Sequence, residues 1–150
     1  MIRTKSTRRL GALALAGIGM VGLFAAAAAA GQAGVTATGA HANEPFCKAI
    51  VKQTEMFGHF IKTDLANPAA RTKYFSDQKA LNATLSKTAP ASLLSDVALQ
   101  TRNANASFDA QLSGDRAKVK ATTGPLRSPE HLAASKRMRE YCGVKVDVAK

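Results

Sequence analysis

Residues 45–66 read PFCKAIVKQTEMFGHFIKTDLA, and residues 129–143 read PEHLAASKRMREYCG. In the first stretch Phe46, Ile50, Phe57, Ile61 and Leu65 recur at helical spacing, so they share one face. Lys48, Lys52, Glu55, Lys62 and Asp64 fall mostly off that face. The pattern predicts a helix from about Glu44 to Ala66, capped by Asn43, with Glu44 and Pro45 in its first turn. Asn67-Pro68 ends it, because the residue before a proline is pushed out of the helical region. In the second stretch Ser128 is a cap, Pro129 suits the first helical position and Glu130 the positive helix end. Leu132, Ser135, Met138 and Cys142 then share a face, and Gly143 stops the helix.

Two further helices lie between these. One is expected over about Ala69 to Lys87, with a thin stripe of Tyr74, Gln78, Leu81 and Leu85. Thr88-Ala89-Pro90 breaks it. The next runs from about Pro90 to Leu112, with Leu94, Val97, Thr101, Ala104, Phe108 and Leu112 on one face, and Ser113-Gly114 closes it. Asp115 to Ala121 reads as a short basic helical turn, and Thr122-Thr123-Gly124-Pro125 as a loop. Val144 to Val148 alternates, but a lone pentamer makes no sheet.

The two cysteines fix the arrangement. Cys47 opens the first helix and Cys142 closes the last. In an all-α, up-down-up-down four-helix bundle the start of helix one and the end of helix four meet at the same end. Cα atoms roughly 4.4–6.8 Å apart suit a disulfide, and this topology supplies that separation. One Cys47–Cys142 bond is therefore expected, against the alternative of two free or metal-binding thiols.

The N-terminal third supports an oxidising destination. Met1 to Leu10 is basic and acid-free, Leu10 to Ala30 is apolar, and small residues follow as far as Ala40-His41-Ala42. That is the order of a secretory signal, and export carries a protein to where disulfides persist. The expected division is a signal peptide over 1–42, cut at Ala42/Asn43, and a helical domain over 43–150, with the Ala25–Ala30 run offering competing sites. An uncleaved anchor is the alternative, since the apolar run is long enough to span. Its Ala and Gly content dilutes its hydrophobicity, so no membrane span is expected after cleavage. Thr7-Arg8-Arg9 only partly matches a twin-arginine signal.

Charge is the one enriched property. Arg3, Lys5, Arg8 and Arg9 leave with the signal, so residues 43–150 hold 17 basic and 10 acidic residues, a net +7. Nine of those bases and four of the acids lie in residues 113–150, a surplus of +5 in the C-terminal third. The candidate anion-binding set is Arg116, Lys118, Lys120, Lys136, Arg137 and Arg139, with Arg127 nearby. Lys136 and Glu140 are i,i+4 neighbours, which partly neutralises the group. Tyr141 is the only aromatic near these bases, so the interleaved stacking rings of a single-strand binder are missing and nucleic acid is not the expected partner.

Catalytic signatures are lacking. There is no Gly-x-Ser-x-Gly elbow and no phosphate-binding glycine loop. Glu55 and His59 share a helical face, but a metal site needs further ligands, and His131 has no ligand spacing around it. A haem site on His59 or Tyr74 has no motif behind it. No cofactor or metal is expected. Phe46-Cys47, Ala89-Pro90 and Tyr141-Cys142-Gly143, behind an Ala-rich leader, resemble small exported helical two-cysteine proteins of high-GC Gram-positive bacteria. The likeness covers most of the mature chain through short structural motifs. It implies export, helices and the disulfide, and transfers no activity. The expected function is that of a non-catalytic, secreted or envelope-associated binding module that contacts anionic envelope polymers. The alternative is a small secreted all-α enzyme with dispersed Arg, Lys and Glu.

Overall fold

Cys47 and Cys142 are bonded, with Cα atoms 5.3 Å apart and both side chains fully buried. The structure is a computed structural model that describes residues 34–63 and 67–146. The basic and apolar leader, the Asp64–Ala66 end of the first predicted helix and the alternating stretch beyond Val146 lie outside the described residues. The chain is mainly helical: five α-helices, a 3-10 turn and two short strands occur among the described residues. No helix among them is long and apolar enough to cross a membrane.

Helix α1 (Pro45–Thr63) starts where the Lys48 amide donates to the Glu44 carbonyl, one residue later than expected. Phe46, Ile50 and Phe57 of its apolar stripe are buried. Helix α2 (Pro68–Thr88) is capped by Asn67, whose Oδ1 accepts from the Ala69 and Ala70 amides at 2.9 and 3.3 Å. The Leu93 amide donates to the Pro90 carbonyl to close a 3-10 turn (Ala91–Leu93), so the proline precedes α3 (Leu94–Ser113) rather than opening it. On α3, Val97, Thr101, Ala104 and Phe108 are buried as their spacing requires. Leu94 and Leu112, at the two ends of that stripe, are 54% and 44% exposed, and the buried face includes Gln100 and Ser107 instead.

The expected turn and loop after Gly114 are a single helix, α4 (Arg116–Leu126). Asp115 caps it by accepting from the Ala117 and Lys118 amides. The Thr122 and Thr123 hydroxyls donate back to the carbonyl of Val119, so both threonines are satisfied within a helix. Pro125 falls in the last turn, near the end of the ladder, and buried Leu126 anchors the end. Helix α5 (Pro129–Cys142) has the expected bounds and cap, with the His131 amide donating to Ser128 Oγ. Its buried residues are His131, Ala134, Met138 and Cys142; Leu132 and Ser135 are only half-buried.

The expectation of no sheet is corrected. Strand β1 (Val35–Ala37) pairs antiparallel with β2 (Val144–Val146), Val35 opposite Val146 and Ala37 opposite Val144. The partner of the C-terminal alternating stretch lies within residues assigned to the leader. The pairing continues as the Thr38 and Gly39 amides donate to the carbonyls of Gly143 and Cys142. Gly143 ends α5 in the left-handed region, φ 59°, and a Cβ there would sit 2.5 Å from the Gly39 nitrogen. Only glycine meets both demands.

Among the described residues the interior has two apolar clusters. Phe46, Cys47, Ile50, Leu85, Leu93, Val97, Met138 and Cys142 pack together at the disulfide end. Phe57, Tyr74, Phe75, Ala104 and Phe108 form an aromatic group farther along, with Phe75 and Phe108 stacked at 5.2 Å. Along the chain α1 packs on α2, α2 on α3, and α3 on both α4 and α5; α5 also meets α1. A bidentate pair of Arg137 with Asp96, at 2.7 and 2.6 Å, ties α5 to α3.

Candidate functional site

The basic residues divide into two groups. Arg116, Lys118 and Lys120 project from α4 and are exposed, as is Arg127 at its end. No acidic residue occurs from Arg116 to Pro129. Arg116, Lys120 and Arg127 follow helical spacing and so share one side of α4. Lys118 approaches the capping Asp115 carboxylate at 4.0 Å, with its own side chain two-thirds exposed. Such an exposed contact is weak and leaves the ammonium available to a stronger anion.

The α5 group is more committed. Lys136 lies 3.6 Å from Glu140, both well exposed. Arg137 is held in its bidentate pair with Asp96. That pair holds the Asp96 carboxyl below the ordinary carboxylate range, with burial opposing. Arg139 is half-buried, and burial lowers its guanidinium below the ordinary value while Glu140 opposes the shift. The proposed six therefore do not form one patch of equivalent charges: α4 carries exposed bases, Lys136 adds one more, Arg137 is exposed but paired with Asp96, and Arg139 is half-buried.

Arg139 turns toward a second feature. Helices α1, α2, α3 and α5 surround an interior cavity of about 50 Å³ between the two apolar clusters. Gln53 and Thr54 line it from α1, Asn82 from α2, Gln100 from α3, and His131, Ser135 and Arg139 from α5. Ile50, Phe57, Leu85 and Met138 supply apolar wall. Gln53 Nε2 donates to Asn82 Oδ1 at 2.8 Å, and Asn82 Nδ2 donates to Asn105 Oδ1 at 2.7 Å. Gln100 Nε2 donates to the His131 carbonyl at 2.5 Å. Asn103 Nδ2 lies 3.4 Å from His131 Nδ1, which fits the tautomer protonated on Nε2. His131 is 1% exposed, and burial pushes its imidazole below the ordinary histidine range. The lining is thus neutral amides, hydroxyls and a neutral imidazole, with one cation at its edge and no carboxylate. A volume near 50 Å³ with several polar partners suits a few water molecules.

Gln78 is fully buried, as its place on the expected α2 stripe requires, whereas Asn82 and Gln100 lie on no stripe read from the sequence and His131 was read only as lacking ligand spacing. The available signal was α2 itself, whose apolar stripe is too thin to cover a bundle face unless its amides go inside as well. Glu55 and His59 do lie together, on an open groove of about 420 Å³ with Met56, Lys73, Tyr74 and Asp77. Burial raises the Tyr74 phenol well above its ordinary value, so it is neutral. Among the described residues no group of three or more His, Cys, Asp or Glu could hold a metal ion.

Comparison with known family models, with curated proteins and with solved structures found no match.

Proposed function

We propose that this protein is an exported, non-catalytic helical module that associates with anionic cell-envelope polymers through the exposed bases of α4 and Lys136 of α5. In this reading a leader is cleaved, and α1, α2, α3 and α5 run up-down-up-down with α4 carried between α3 and α5. Support for that arrangement is the shared cavity lined by those four helices. Support for export is the leader's residue order together with a disulfide compatible with an extracytoplasmic location. The observation that carries the binding reading is the acid-free stretch from Arg116 to Pro129, with Arg116, Lys120 and Arg127 on one exposed side of a capped helix. A polyanion lying along α4 gains from several bases at once and releases its counterions. Association of this kind is sequence-blind and falls with salt, because the screening length is only about 8 Å at 0.15 M.

The alternative, a small secreted all-α enzyme with dispersed Arg, Lys and Glu, would use the interior cavity. His131 and Arg139 are the observation that favours it. The absence of a carboxylate or lysine among the lining residues, and the small volume, favour the module.

The test is co-sedimentation with purified Gram-positive cell walls across a salt series. Wild type is retained at low salt and released as salt rises. Reversing charge at Arg116, Lys118, Lys120 and Lys136 abolishes retention. Equal retention of that variant, or no retention of wild type at low salt, removes the reading.

A further inference from the structure

The folded domain reaches upstream of the cleavage point that the small-residue stretch suggests. Beyond the β1–β2 pairing, His41 stacks on the Tyr141 ring with centroids 4.1 Å apart. His41 Nδ1 lies 2.6 Å from Glu44 Oε1, and Tyr141 Oη donates to Glu44 Oε2 at 3.1 Å. Gly39 packs so closely on the Cys142–Gly143 backbone that a Cβ would meet it at 3.2 Å. Residues 35–44 therefore form a strap over the buried disulfide, joined to the chain's last helix by backbone bonds, ring stacking and a carboxylate. A cut at Ala42/Asn43 removes β1, leaves the β2 edge unpaired, uncovers the end of α5 and takes His41 from both Glu44 and Tyr141. Unpaired strand edges are an aggregation hazard that folded proteins avoid.

We propose that the leader is instead removed N-terminal to Val35, by hydrolysis at Ala30/Gly31, and that the mature protein keeps residues 35–42 as part of the strap. This rests on the export reading above. The bond broken is the Ala30–Gly31 amide. Water supplies the hydroxyl to the new Ala30 carboxyl and the proton to the new Gly31 amine, in a peptidase that recognises small side chains at the first and third positions before the cut. Ala28-Ala29-Ala30 meets that requirement directly. It also stands close behind the bulky apolar segment that ends at Phe24, whereas Ala42 stands much farther away. Signal peptides commonly run to about 15–30 residues, which the earlier site satisfies and the later one exceeds. Residues 31–42 contain no Lys, Arg, Asp or Glu, so the mature net charge of +7 is the same for either cut.

The full precursor is expressed in a secreting Gram-positive host, and the exported protein is characterised by intact mass and N-terminal peptide sequencing. The expected N-terminus is Gly31. The neighbouring site Gly31-Gln32-Ala33, giving Gly34, also preserves the strap and sustains the retained-strap claim. An N-terminus at Asn43 overturns the proposal while leaving export intact. A cell-retained chain with the mass of the whole precursor overturns both. In a second arm, Ala42→Leu places a bulky residue where a cut at 42/43 needs a small one. The proposal expects unchanged processing, with only the added mass of the substitution. Blocked or relocated processing of that variant overturns it.

Discussion

Replacing both cysteines, in Cys47→Ala/Cys142→Ala, tests how the fold is held. The bond joins positions 95 residues apart in sequence. Loop closure of that size removes about 4.7 kcal/mol of unfolded-chain entropy at 25 °C in the chain-entropy model. Both sulfurs are fully buried. Each vacated position costs roughly a further 1 kcal/mol, by analogy with deleting one buried methyl group. The combined loss, about 6–7 kcal/mol, is a large part of the stability of a typical domain, about 5–15 kcal/mol. For a chain of this size about 1 kcal/mol shifts the midpoint by roughly 4 °C, so the melting temperature falls by about 20 °C or more. Because the bond acts mainly on the unfolded chain, helix content at low temperature stays near wild type. Thermal denaturation followed by circular dichroism, with the oxidised wild type alongside, gives both quantities. A midpoint drop of only a few degrees refutes loop closure as a main source of stability. Two alkylatable thiols in the unfolded, unreduced wild type refute the bond itself.

Acid should weaken the fold in two stages. His131 has a folded pKa below its ordinary 6.5 because of burial, so the unfolded chain takes up the proton more readily. Its contribution is complete above about pH 6.5 and is lost as pH falls toward the folded value. His131→Gln flattens that part of a melting-temperature profile, whatever its effect on the midpoint at neutral pH. An unchanged slope contradicts the assignment. Asp96 acts at lower pH: Arg137 depresses its pKa from 3.8, so its contribution is present above that value and is lost as pH falls through the folded one. Arg137→Ala removes this acid limb. Gly143→Ala forces a left-handed conformation costing about 1–2 kcal/mol and adds a Cβ against the Gly39 nitrogen. It should destabilise by at least that amount in denaturant unfolding, and a neutral result contradicts the close approach of the strap.

Helix ends were legible because their chemistry is local. Asn67-Pro68, Ser128-Pro129, Gly114 and Gly143 stop or start helices through backbone geometry that a few residues determine. The disulfide was legible because both cysteines mark helix ends that an antiparallel arrangement brings together. Helix α4 was partly legible: Asp115 announced its start, but Gly124-Pro125 read as a break, and only the Thr122 and Thr123 hydroxyls and buried Leu126 account for its continuation. The β1–β2 pair was half legible: Val144 to Val148 shows the alternation of a strand, but its partner Val35–Ala37 is distant in sequence and lies within residues read as leader. The cavity was least legible. His131, Gln100 and Asn82 are polar residues whose burial depends on finding one another across three helices, and a periodic reading assigns polar positions to solvent. For the basic set, sequence gave the charges but not their commitments: Arg137 to Asp96, Arg139 to the cavity wall, and the α4 bases to solvent.

We propose that anionic polymers meet this protein along α4. The most direct measurement is a backbone amide NMR titration of the oxidised, processed protein with purified teichoic acid at low and high salt. Shifts are expected to cluster at Arg116–Arg127 and near Lys136, to grow with polymer, and to disappear at high salt. No shifts at low salt, or shifts confined to Gln53, Gln100, His131 and the cavity around them, would contradict it.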